Sequence, residues 1–219
     1  MRASFTLASI IALALAAGPA AAQVPNIDRL TNDAAAQVMH RFALCVGMRR
    51  EAAGRVLATL PGSREESALV ERLIDPMPPT CEVGGLLLEF SPRYLRGGIA
   101  EAVWRADFAD PSRPRKKSPL AVFPVPSADR ASGLDEAQKG IIGLVVFAEC
   151  TARTDRASVA ALLAARYGSS AELGAYQSLQ SAMENCLPDG MELKLTPLRL
   201  RGYLAEGAYR VAASPEVAQ

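Results

Sequence analysis

The feature that most constrains this chain is a repeat: the stretch from Cys150 to Arg210 reads as a second copy of Cys45 to Arg105, at a period of 105 residues. Laid over each other without gaps from Phe42 and Phe147, the copies agree at 15 of 64 positions, where the Ala- and Leu-rich composition by itself gives about five. The agreements cluster. Phe-Ala-x-Cys opens both copies (Phe42, Ala43, Cys45; Phe147, Ala148, Cys150), and Leu-Arg-Gly-x-x-Ala-Glu-x-x-x-Arg closes both (Leu95 to Arg105; Leu200 to Arg210).

Residues 1–22 have the composition of a secretory signal peptide: Arg2 supplies the charged start, Phe5 to Ala17 is an uncharged apolar run, and Ala20-Ala21-Ala22 satisfies the small-residue rule, placing cleavage before Gln23. The run is too short to span a bilayer comfortably, and no later segment approaches the roughly 18 uncharged residues a transmembrane helix needs. Removing residues 1–22 takes away Arg2 and no acid, leaving 23 basic and 23 acidic side chains. A neutral mature chain lacks the electrostatic footprint of a nucleic-acid binder. The basic run Arg113 to Lys117 sits in a proline-rich stretch and reads as solvated linker.

An exported chain meets an oxidising compartment, so four cysteines in two pairs, each spaced by 36 residues, read as disulfides. Three pairings exist on paper. The repeat favours Cys45 with Cys81 and Cys150 with Cys186, because a duplicated unit most simply carries its bond inside itself. Neither metal nor cofactor is expected: CxxC and glycine-rich phosphate motifs are missing, and His40 is the one histidine.

Within each copy the periodicity predicts three to four helices and a short strand. Val38, Met39, Phe42 and Cys45 share one face of a first helix from Ala35, with cap candidates at Thr31 to Asp33. Its counterpart, Ile141 to Ala148, is apolar all round, as a central helix would be. Second helices follow at about Glu51 to Leu60 and Arg156 to Tyr167, stopped by Gly62 and Gly168. Ser63 with Glu66 and Ser169 with Glu172 are capping boxes that start a third helix, which in the first copy stops at Pro76. Leu86, Leu88 and Phe90, like Met191, Leu193 and Leu195, alternate as in a half-buried strand. Ser91-Pro92 and Thr196-Pro197 start the closing helices. Residues 23–108 and 134–211 thus form two tandem units of a mainly α protein, joined by a semi-extended linker at 109–133 and followed by a tail at 212–219.

The closing helix holds the densest recurrence: Arg96, Gly97, Glu101 and Arg105 in one copy, Arg201, Gly202, Glu206 and Arg210 in the other. Gly97, Ala100, Glu101 and Trp104 lie on a face distinct from the apolar stripe, which implies a helix packed on two sides. Glu101–Arg105 and Glu206–Arg210 are i, i+4 pairs. Two carboxylates, one per copy, suggest an acid/base pair, yet recurrence in both copies is what packing demands, so each Glu is read as tying its own helix to a nearby Arg or backbone donor. His40 has no local Ser or Asp arrangement of a triad and is read as a structural or surface residue.

The combination of Phe-Ala-x-Cys, a capping box, a second Cys and the Leu-Arg-Gly-x-x-Ala-Glu-x-x-x-Arg close resembles a group of uncharacterised secreted proteins of Gram-negative bacteria built from one or two such units. The resemblance covers residues 38–106 and 143–211, and it implies export and a disulfide-stabilised helical unit without an activity to carry over. The expected role is a non-catalytic binding or assembly module of the cell envelope, periplasmic or secreted, with an envelope protein or small ligand as partner. The alternative is a hydrolase using Glu101 and Glu206.

Overall fold

The computed structural model describes residues 27–77, 79–81, 92–110, 122–126, 132–187 and 193–214, and within them the chain forms eight α-helices and no strand. The expected signal peptide (1–22), Leu86 to Ser91, the Arg113 to Lys117 run, Met191 and residues 215–219 lie outside the described residues. In the first half come α1 (Ile27–Gly47), α2 (Arg50–Leu57), α3 (Arg64–Ile74), a 3-10 turn (Pro79–Cys81) and α4 (Pro92–Asp107). The second half repeats the order with α5 (Glu136–Thr154), α6 (Arg156–Ala164), α7 (Ser170–Cys186) and α8 (Pro197–Ala213).

Local signals account for most boundaries. Gly62 and Gly168 take positive φ of 78° and 76°, a conformation open to glycine because it has no Cβ, and they turn the chain between the end of the second helix and the Ser that caps the third. Ser63 and Ser169 are extended and accept the backbone N–H of Glu66 and Glu172. The second helices stop three residues short of the expected Leu60 and Tyr167, because the chain must leave the helix early enough to present these extended caps. Thr196 caps α8 with Pro197 in its first turn. The start of α1 differs from expectation: the helix begins at Ile27 and runs through Thr31 to Asp33, whose helix propensity falls short of alanine's by only a few tenths of a kcal/mol each.

The expected strand does not form among the described residues. Leu193 and Leu195 are half-buried and Lys194 is exposed, so the alternation is real, but residues 193–196 have no regular secondary structure. An alternating segment becomes a strand only with a partner to complete its hydrogen bonds.

Nor is α5 the central helix. Val146 is 47 % exposed, and α5 keeps a solvent face. The centre belongs to α4 and α8, which pack on each other, with α1 and α2 against α4 and α5 and α6 against α8. Every residue from Leu95 to Trp104 is buried, as the two-sided packing of the Gly97, Ala100, Glu101, Trp104 face requires. One apolar core runs through both halves and includes Phe42, Val46, Leu57, Leu73 and Ile99 with Leu162, Leu179 and Leu204. Cys45 is bonded to Cys81 and Cys150 to Cys186. The joining segment is partly docked: Phe123 is buried on Ile142 and Val145 and donates its N–H to the Leu57 carbonyl at 3.4 Å.

Candidate functional site

The site begins at the crossing of α4 and α8. A Cβ on Gly97 would stand 2.3 Å from the Cα of Gly202, so two backbones meet where no side chain fits. This approach brings the flanking Arg and Glu of each helix within reach of the other. Arg96 donates from Nε and Nη2 to the Glu206 carboxylate at 2.8 to 3.0 Å. Arg201 grips Glu101 in the same way, with two bonds of 2.8 Å. Each carboxylate therefore ties its own helix to an arginine of the other half, a partner the repeat did not specify.

The cap residues complete each cluster. Glu66 spans from the Gly62 N–H to Arg96 Nη1, and Glu172 spans from the Gly168 N–H to Arg201 Nη1. The capping boxes are thus only half formed: each Ser accepts as expected, while each Glu reaches one residue further back and turns its second oxygen to a buried guanidinium. Carbonyls at the ends of α2 (Val56, Leu57) and α6 (Leu163, Ala165) take remaining Arg N–H groups. Both guanidiniums are fork-bonded and almost wholly buried, the arrangement in which a charge is tolerated away from water.

The two clusters differ at one point with wide effect. His40 on α1, 5 % exposed, lies 3.0 Å by Nε2 from Glu101 Oε2, whereas the residue 105 further on is Val145. Burial opposes ionisation of Glu101, but hydrogen bonds from His40 and Arg201 and the Arg201 charge outweigh it and hold the carboxyl at about 2. An ionised carboxylate only accepts, so His40 Nε2 carries the shared proton. Arg105 adds a 2.7 Å bond to Glu101, the expected i, i+4 pair. Its counterpart Arg210 turns instead to Glu149 at 2.9 Å and to the Phe123 carbonyl at 2.8 Å.

Beside His40 and Arg105 opens a cleft of about 350 Å³ between α1 and the turn after α6, lined also by Gln37, Arg41, Arg166 and Tyr167. The Tyr167 ring lies 5.2 Å from that of His40. A second hollow, next to Arg96 and Glu206, holds about 30 Å³, room for little more than a water molecule. Among the described residues no His, Cys, Asp or Glu cluster is spaced to hold a metal ion.

Of the residues singled out from sequence, Arg96, Gly97, Glu101, Arg201, Gly202 and Glu206 come together at the crossing, and Arg105 borders them. Arg210 stands apart with Glu149 and Phe123, and the cysteines serve the disulfides. Sequence reading missed Glu66 and Glu172 as ion-pair partners, although their shared place in the first turn of a helix already marked them. It also missed Arg41, Arg166 and Phe123. For Phe123 a signal existed, an apolar run from Ala121 to Val125 inside a proline-rich linker. No family model, curated protein or solved structure matches this chain.

Proposed function

We propose that this protein is an exported, non-catalytic binding module of the cell envelope, built from two tandem copies of one helical unit (23–108 and 134–211) joined by the 109–133 segment after removal of residues 1–22. The duplication is supported by the shared helix order, by one disulfide in each half, and by the matching Glu–Arg–Glu clusters. Export is supported by the leader composition and by the disulfides. The resemblance to secreted two-unit proteins points the same way.

One observation carries the binding reading: the recurring carboxylates are consumed in buried cross-half ion pairs, while the open cleft is lined, Arg105 apart, by side chains the repeat does not share. Glu101, held at about 2, carries no proton to give near neutral pH, which weighs against its use as a general acid. The test is native mass spectrometry of the protein isolated from the periplasm or medium. A co-purifying small molecule that disappears in Arg166→Leu is expected. Turnover of an ester or glycoside panel that is lost in a folded Glu206→Gln protein would favour the hydrolase instead.

A further inference from the structure

The cleft beside His40 has a counterpart in the other half, and the comparison indicates what belongs in it. Moving 105 residues along, Gln37, His40 and Arg41 of α1 become Ile142, Val145 and Val146 of α5. Moving 106 residues back, Arg166 and Tyr167 become Leu60 and Pro61. The wall that is polar around His40 is therefore apolar around Val145, where the chain fills the space itself: Phe123 packs on Ile142, Val145, Leu60 and Tyr203. Arg210 fixes this plug by donating to the Phe123 carbonyl at 2.8 Å and by lying 5.1 Å over the Phe123 ring.

Arg105, the equivalent of Arg210, receives no such plug from the described residues. Leu44 stands where the second half has Glu149, so the Nε–H that Arg210 spends on Glu149 is, in Arg105, buried without an acceptor. An unpaired charged donor away from water is costly unless something else completes it. The charge count points the same way. Glu101 is shared by Arg105, Arg201 and His40, and Glu172 is held by Arg201. Among the described residues the side chains of Arg41 and Arg166 have no ion-pair partner, so the cleft wall carries positive charge in surplus.

We propose, building on the binding reading, that this cleft binds the oxyanion of a small molecule, a carboxylate or phosphate group. Arg41, Arg105 and Arg166 supply the donors, since guanidinium forks match such oxygens, and Tyr167 supplies a flat surface for the body that carries the anion. A volume of about 350 Å³ is at the small end for ligand sites and fits a metabolite-sized guest.

The test is titration calorimetry of the oxidised protein with inorganic phosphate and with succinate, at constant ionic strength held by chloride. Saturable one-site binding of at least one probe is expected. Arg41→Gln and Arg166→Gln, both at exposed positions that leave the core intact, should each weaken it about tenfold or more, and Arg72→Gln, exposed on α3, should not. Circular dichroism of each variant confirms folding. Binding of neither probe, or binding indifferent to the Arg41→Gln/Arg166→Gln pair, overturns the oxyanion assignment. If a small molecule still co-purifies in that case, the binding reading stands and only its chemistry falls. If nothing co-purifies while the anions bind as expected, the cleft is an anion site and the wider reading loses its support.

Discussion

Arg96 closes on Glu206, 110 residues further along the chain, through three hydrogen bonds of 2.8 to 3.0 Å. With Arg201 on Glu101 as its mate, the pair makes each half complete the other's buried charge. Removing one partner leaves a charge stranded in the core, which costs about 3–5 kcal/mol. Arg96→Met and Glu206→Gln should each show that loss in urea unfolding. The double variant should be less damaged than the sum of the two, with a coupling of about 2–3 kcal/mol. A loss below about 1 kcal/mol for Arg96→Met would mean that the cluster does not hold the halves together.

The glycine contact is predicted to be unequal. A Cβ on Gly97 meets the Gly202 Cα at 2.3 Å, while one on Gly202 meets the Gly97 Cα at 3.1 Å. Backbone cannot step aside as a side chain does, so Gly97→Ala should destabilise by about 1–3 kcal/mol. Gly202→Ala should lie nearer to neutral, because the helix propensity of alanine offsets a milder contact, and Gly202→Leu should be severe. Thermal melts that ranked Gly97→Ala above wild type would contradict the observed crossing.

Acid should loosen the fold through Glu101. Its folded value of about 2 lies below the ordinary 4.5, so the stabilisation is fully present above about 4.5 and fades as the pH falls through about 2, amounting to about 3 kcal/mol in total. Glu149 and Asp155 are lowered as well and act in the same direction. Urea midpoints measured between pH 7 and pH 2 should therefore drop less steeply in Glu101→Gln than in wild type, and the gap between the two proteins should narrow toward pH 2. Parallel curves would remove Glu101 from the acid response.

Each disulfide closes a loop between cysteines 36 residues apart, worth about 3–4 kcal/mol on the chain-entropy account. The Cys150→Ser/Cys186→Ser protein should lose that much in urea unfolding at neutral pH. Non-reducing peptide maps should show Cys45 with Cys81 and Cys150 with Cys186.

What the sequence determined by itself is local or repeated. Ser63 and Ser169 capped as read, because a cap depends on residues within one turn of it. The cysteine pairing followed from a period visible in the letters. The Gly97 and Gly202 face was legible because a helix fixes which residues share a side, and the two-sided burial of α4 and α8 came with it.

Tertiary structure decided everything that depends on how the halves approach. No spacing in the chain encodes that Glu101 pairs with Arg201 while Glu206 pairs with Arg96, since that follows only from the backbone contact at the glycines. The alternating 193–196 segment lacked a partner, which its own residues could not reveal. The cleft arises where the copies differ, at His40 against Val145 and Leu44 against Glu149, and a reading built on their agreements passes over such positions. Phe123 was hidden for a related reason: whether an apolar residue in a linker docks depends on a hole that exists only after α5 and α8 have packed.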